Sequence, residues 1–131
     1  MRSDGSPRVS GIEAYFIGDD LWFGSMSGAL KTRDLQRDPR FALHGPPVLL
    51  STETKPTGPG DAKISGRANP ETDRDRIKQM LTARGMDADA FTDSHFFTAG
   101  IEEAVLTQLE GPTMTITLWR PGHPLHHTTR T

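Results

Sequence analysis

The chain has no cysteine among its 131 residues, which excludes disulfides, thiolate-ligated metals and a cysteine nucleophile together. It also lacks a long hydrophobic run: nothing approaches the roughly 18 consecutive apolar residues of a membrane-spanning helix. Nor is there an excess of charge of one sign. Fifteen basic residues against 17 acidic ones give a formal net charge of -2, so no overall field favours nucleic acid or a membrane surface as a partner. The opening residues, MRSDGSPRVSG, are polar and carry no apolar signal segment. The expectation is a soluble, cytoplasmic protein, one domain over residues 1–131, whose chemistry rests on oxygen and nitrogen groups.

What is there reads mainly as strands. The runs PRVSGIEAYFIG and DLWFGSM flank a Gly/Asp turn, the local pattern of a β-hairpin. A third run, RFALHG, follows Pro39. The stretch GPPVLLSTETKPTGPG reads as a loop with Val48 to Leu50 as a brief strand. DAKISGRA alternates Ala62 and Ile64 with Lys63 and Ser65, and EAVLTQLEG and TMTITLWRP are joined by Gly111-Pro112 and should pair. With two or three helices among the strands, the fold class is α+β, mainly β and antiparallel.

Two helices interrupt the strands, and they differ. Residues 69 to 85, NPETDRDRIKQMLTARG, place Asn69 at the cap, Pro70 at the first helical position, Glu71 and Asp73 in the first turn, and Arg84 with Gly85 at the exit. Ile77, Met80 and Leu81 form an apolar stripe. Residues 28 to 38 have Ser27 as a candidate cap and Pro39 as the stop, but Lys31 and Arg33 lie in the first turns, where the helix dipole favours acids. Side chains tilt toward a helix N-terminus. Lys31 is therefore expected to meet the free N–H groups of Gly28 and Ala29 and the hydroxyls of Ser25 and Ser27, an anion site. The plain alternative is a solvated lysine on a helix face.

The segment DGSPRVSGIEAYFIGDDLWFGSMSGALKTRDLQRDPRFALHG, with GDAKISGRA, VLTQLEG and TMTITLWRPG further on, resembles the pyridoxamine 5'-phosphate oxidase-like family, the FMN-binding split β-barrels, some of which use the deazaflavin F420. The resemblance covers most of the chain and implies an antiparallel split β-barrel that lacks the helix and strand preceding the first hairpin in relatives. That would leave an open edge to be covered. It implies FMN, alternatively F420, as cofactor. Lys31 would receive the phosphate in the loop holding Ser25, Met26, Ser27 and Gly28, with Ser10 and Ile12 on a strand beside the ring. Asp61 would face the flavin from a second subunit, so a homodimer is expected, with its interface along the face bearing Asp61 and Lys63. Trp119 would wall the ring or close the barrel core. Arg33, with Arg37 and Arg40, forms either a solvated face or a contact for the polyglutamate tail of F420. Of the oxidases' Arg-x-Val-Leu-Leu-Lys strand only Arg8 has a counterpart, and their Arg-Leu-His motif has none, so vitamin B6 oxidation is not expected.

Other features take plain readings. His123, His126 and His127 lie in a Pro- and Thr-rich tail without a carboxylate nearby, so no metal site is expected. His44 and His95 have no partnered nucleophile. Glu13 reads as an outward carboxylate. A flavin or deazaflavin carries hydride chemistry itself, so no catalytic side chain is expected. The function implied is an oxidoreductase moving a hydride or electron pair to or from a small conjugated substrate. The alternatives are a non-catalytic flavin-binding or sequestering protein and a β-barrel interaction domain that has lost the cofactor site.

Overall fold

A computed structural model describes residues 1–46 and 60–131; the brief strand expected at Val48 to Leu50 lies outside them. In chain order the elements are β1 (Ala14–Ile17), β2 (Asp20–Ser25), α1 (Leu30–Arg37), β3 (Arg40–His44), β4 (Asp61–Glu71), α2 (Arg74–Ala83), a 3-10 turn at Ala88–Phe91, β5 (His95–Glu110), β6 (Thr113–Trp119) and β7 (His126–Arg130). The pairing order is β1-β2-β5-β4-β3, with β6 on β5 and β7 on β6. This is a mainly antiparallel α+β fold. Among the described residues the order does not close into a ring, which is compatible with a split barrel.

Both expected hairpins form. Ile17 pairs with Asp20 across Gly18-Asp19, and Glu110 with Thr113 across Gly111-Pro112. Gly18 and Gly111 both have a φ of +59, and a positive φ at the first central residue marks the primed turns whose twist suits a two-residue hairpin.

The residues group into two compact units, Met1–Phe41 with Arg67–Gly100, and Ala42–Gly66 with Ile101–Thr131. In the first, β2 carries three consecutive buried side chains, Leu21, Trp22 and Phe23. Successive strand residues face opposite ways, so β2 is covered on both sides. Trp22 packs with Phe96 against the α2 stripe of Ile77, Met80 and Leu81. Phe23 lies on the other side between Phe41 and Phe97, with ring centroids 5.4 and 5.8 Å away. Each such side chain contributes about 1.5–3 kcal/mol when fully removed from water.

The second unit is a meander. Val105 pairs with Leu118, Thr107 with Ile116 and Leu109 with Met114, which puts Val105, Leu109, Met114, Ile116 and Leu118 on one face and Leu106 on the other. Those side chains are only half-buried in the single chain.

Three expectations about elements are corrected. The second helix starts at Arg74 under Asp73, whose carboxylate accepts from the N–H groups of Asp75 and Arg76. Asn69, Pro70 and Glu71 belong instead to β4. The first helix is entered through Ala29, with no side-chain cap, because the φ of +74 at Gly28 delays helical geometry past Ser27. The tail HHTTR is a strand: its β-branched threonines pair with β6, Thr129 against Thr115 and His127 against Thr117.

Candidate functional site

The strand–loop–helix passage from β2 into α1 sits in the first unit, and it brings together part of the expected constellation. Ser25 ends β2, Met26 and Ser27 are exposed on the loop, and Gly28 turns the chain toward α1. The N–H of Ala29 already donates to the carbonyl of Met26 at 3.2 Å. The Ser25 hydroxyl shares a hydrogen bond with that of Thr32, a buried residue of α1. These groups hold the loop onto its own helix instead of standing free for an anion.

Lys31 does not reach the hydroxyls of Ser25 and Ser27. Its ammonium donates to the carbonyl oxygen of Gly11 at 3.0 Å. That ties the extended segment before β1 to the first turn of α1. No acidic residue lies in that turn, so the lysine charge is oriented by a backbone dipole and not neutralised by a carboxylate there. Ser10 and Ile12 belong to the same extended segment, outside β1, with Ser10 exposed and Ile12 half-buried. The strand expected to carry them starts only at Ala14.

The basic cluster of Arg33, Arg37 and Arg40 is dispersed. Arg37 binds Asp34 at 2.8 Å, Arg40 binds Asp38 at 2.6 Å, and Arg33 stays exposed. Arg8 also binds Asp34, so one buried carboxylate of α1 gathers two guanidinium groups. The hydrogen bonds from Arg8 and then Arg37 hold the Asp34 carboxyl below the usual value of 3.8. The hydrogen bonds from Arg40 do the same for Asp38.

Asp61 and Trp119 fall in the second unit. Asp61 opens β4 and is exposed, as is Lys63. Trp119 ends β6 opposite Ala104 and is 39% exposed, which sets aside the core reading for it. The histidines nearby have ordinary roles. His127 shares a hydrogen bond with Thr117 at 3.0 Å, and the ring of His123 lies 2.9 Å from the carbonyl of Pro121. Among the described residues no group of three or more His, Cys, Asp or Glu side chains is placed to hold a metal ion. No helix there is long and apolar enough to cross a membrane.

A cavity of about 140 Å³ lies beside Ser25 and Met26. Trp22, Phe96, Met80 and Leu81 of the core supply its floor, and Met86 and Phe91 its side. At its rim the Tyr15 hydroxyl donates to Glu13 at 2.7 Å, and the Arg84 guanidinium stacks over the Tyr15 ring, 3.3 Å from its centroid. The hydrogen bond to Glu13 pushes the Tyr15 phenol above its ordinary 10.0. Ser27 faces a second, wider opening of about 540 Å³ with Gln36, Arg74 and His95, so the loop residues divide between two openings. Sequence reasoning missed Tyr15 and Arg84 as a pair. They stand far apart in the chain, and Arg84 reads there simply as a cation at a helix exit.

Compared with known proteins, the chain matches no family model and no curated protein.

Proposed function

We propose that the protein binds FMN or, alternatively, F420, and transfers a hydride or electron pair between that cofactor and a small conjugated substrate, as a homodimer. The observation that carries this reading is Lys31. Its ammonium is held at the first turn of α1 by the Gly11 carbonyl, a contact that uses one of its three N–H donors. Two donors and the full charge are left for a phosphate, beside a helix N-terminus that favours anions.

The residues fit the phosphate better than the ring. A cavity of about 140 Å³ admits one ring, not three, so the ring system would be held by the Ser25–Ser27 loop and by a second chain. The half-buried apolar face of β5 and β6 is consistent with such a partner. When bound, the cofactor supplies the hydride chemistry itself. The chain's part is to bind the phosphate through Lys31, to orient the ring from the β2–α1 loop and to exclude water.

The test is the absorption spectrum of the purified protein, followed by titration with FMN and with F420. Saturable quenching of the fluorescence of either cofactor is expected, and turnover with the reduced form separates an enzyme from a sequestering protein. A colourless protein that leaves the emission of both cofactors unchanged overturns the proposal.

A further inference from the structure

The aromatic cavity of the first unit has a size and a rim that single out one class of ligand, independently of any cofactor. Its floor and walls are Trp22, Phe96, Leu81, Phe91 and the two thioethers of Met80 and Met86. Aromatic faces and methionine sulfur both favour a flat aromatic guest. The volume, about 140 Å³, is close to the ~150 Å³ at which an apolar protein cavity accepts benzene.

The rim carries a cation whose one counter-ion among the described residues, Glu13, is loose and exposed. The Arg84 side chain is only 16% exposed, yet its nearest carboxylate oxygen, on Glu13, lies 3.8 Å away. That exceeds hydrogen-bond distance, and the Glu13 side chain is 81% exposed, so solvent screens the pair. The Arg84 guanidinium carbon lies over the Tyr15 ring, 3.3 Å from its centroid, and a guanidinium fork offers a carboxylate two parallel N–H donors. Tyr15, for its part, donates at 2.7 Å to the same Glu13 Oε2 that lies 3.8 Å from Arg84, so the phenol holds the closer contact with that carboxylate.

The geometry points to a binding site for a small monocyclic aromatic carboxylate, its ring in the cavity floored by Trp22 and Phe96 and its carboxylate on Arg84. Glu13 is the group that such a ligand displaces from the guanidinium. The site needs no flavin, and it succeeds or fails apart from the cofactor reading.

Benzoate is the probe, with benzyl alcohol and acetate as its uncharged and ringless counterparts. The chain has two tryptophans, so Trp119→Phe leaves Trp22, in the cavity floor, as the only reporter. Benzoate is expected to change the Trp22 emission saturably, about tenfold more tightly than benzyl alcohol, with no response to acetate. Arg84→Gln removes that preference and leaves benzyl alcohol binding as it was. Glu13→Gln, at an exposed position, raises benzoate affinity about two- to fivefold by removing the competing carboxylate. Should Arg84→Gln fail to fold by circular dichroism, Arg84→Lys keeps the charge without the fork and loses benzoate affinity severalfold. Absence of a saturable benzoate response, equal affinity for benzoate and benzyl alcohol, or an unchanged benzoate preference in the Arg84 variants overturns the assignment.

Discussion

Lys31→Ala separates a phosphate-binding lysine from a lysine that merely tethers two segments. In the native chain the ammonium donates to Gly11 at 3.0 Å, and the substitution deletes that bond, worth about 0.5–1.5 kcal/mol of fold stability. Two gains oppose the loss. A cation leaves the N-terminal turn of α1, worth about 0.3–1 kcal/mol, and alanine is the better helix former. The net change is within about 1 kcal/mol, a shift in melting temperature of at most about 5 °C. Cofactor binding should respond far more strongly. A charge-assisted phosphate contact contributes about 1.5–3 kcal/mol, so the dissociation constant should rise about tenfold to a hundredfold. The assay is titration of FMN and F420 by fluorescence quenching, alongside thermal melts without cofactor. Lys78→Ala, at an exposed position of α2, is the control and should change neither quantity. Equal cofactor affinity in wild type and Lys31→Ala would remove the phosphate role and leave the tether.

A β-carbon at Gly60 would stand 2.5 Å from the carbonyl oxygen of Thr107, at a φ of +90 that L side chains rarely adopt. Gly60→Ala should therefore destabilise the fold by about 1–3 kcal/mol or more, read as a lower urea midpoint. Asp34 is a carboxylate whose folded pKa lies below its unfolded value of 3.8. Its ion pairs add stability that is fully present above the unfolded value and lost as pH falls through the folded one. The gap in urea stability between wild type and Asp34→Asn should accordingly narrow as pH drops from 6 toward 3; a gap that stays constant would assign the role of Asp34 to something other than its charge. Light scattering with cofactor present should report a dimer at micromolar concentration, and a monomer would count against a site built from two chains.

Local signals carried much of the fold. The hairpins at Gly18-Asp19 and Gly111-Pro112 are visible because two-residue turns announce themselves in composition. The stripe of Ile77, Met80 and Leu81 is visible because helical periodicity does the same. What was hidden depends on partners distant in sequence. Asn69-Pro70 looks like a helix entrance, yet β4 continues through it. Asn69 lies close to Gly100 of β5, where a β-carbon would meet its amide at 3.3 Å. The first half of β5, HFFTAG, was hidden as well, since its burial comes from pairing with β2, Phe97 against Phe23. The site divides in the same way. Ser25 and Met26 were legible as loop residues and do border the cavity, whereas the stack of Arg84 on Tyr15 leaves no local trace.

The interleaving of the two units has a consequence for how the chain is made. Each unit combines an earlier and a later stretch of sequence, so no single truncation yields either one whole. Phe23 stacks on Phe97, about 70 positions later, and Trp22 packs beside Phe96. At a synthesis rate of ~5–20 residues per second, the β2 aromatics wait about 4–15 s for their partners to be made. During that interval the hairpin of β1 and β2 has been made while the later aromatics that cover Trp22 and Phe23 have not.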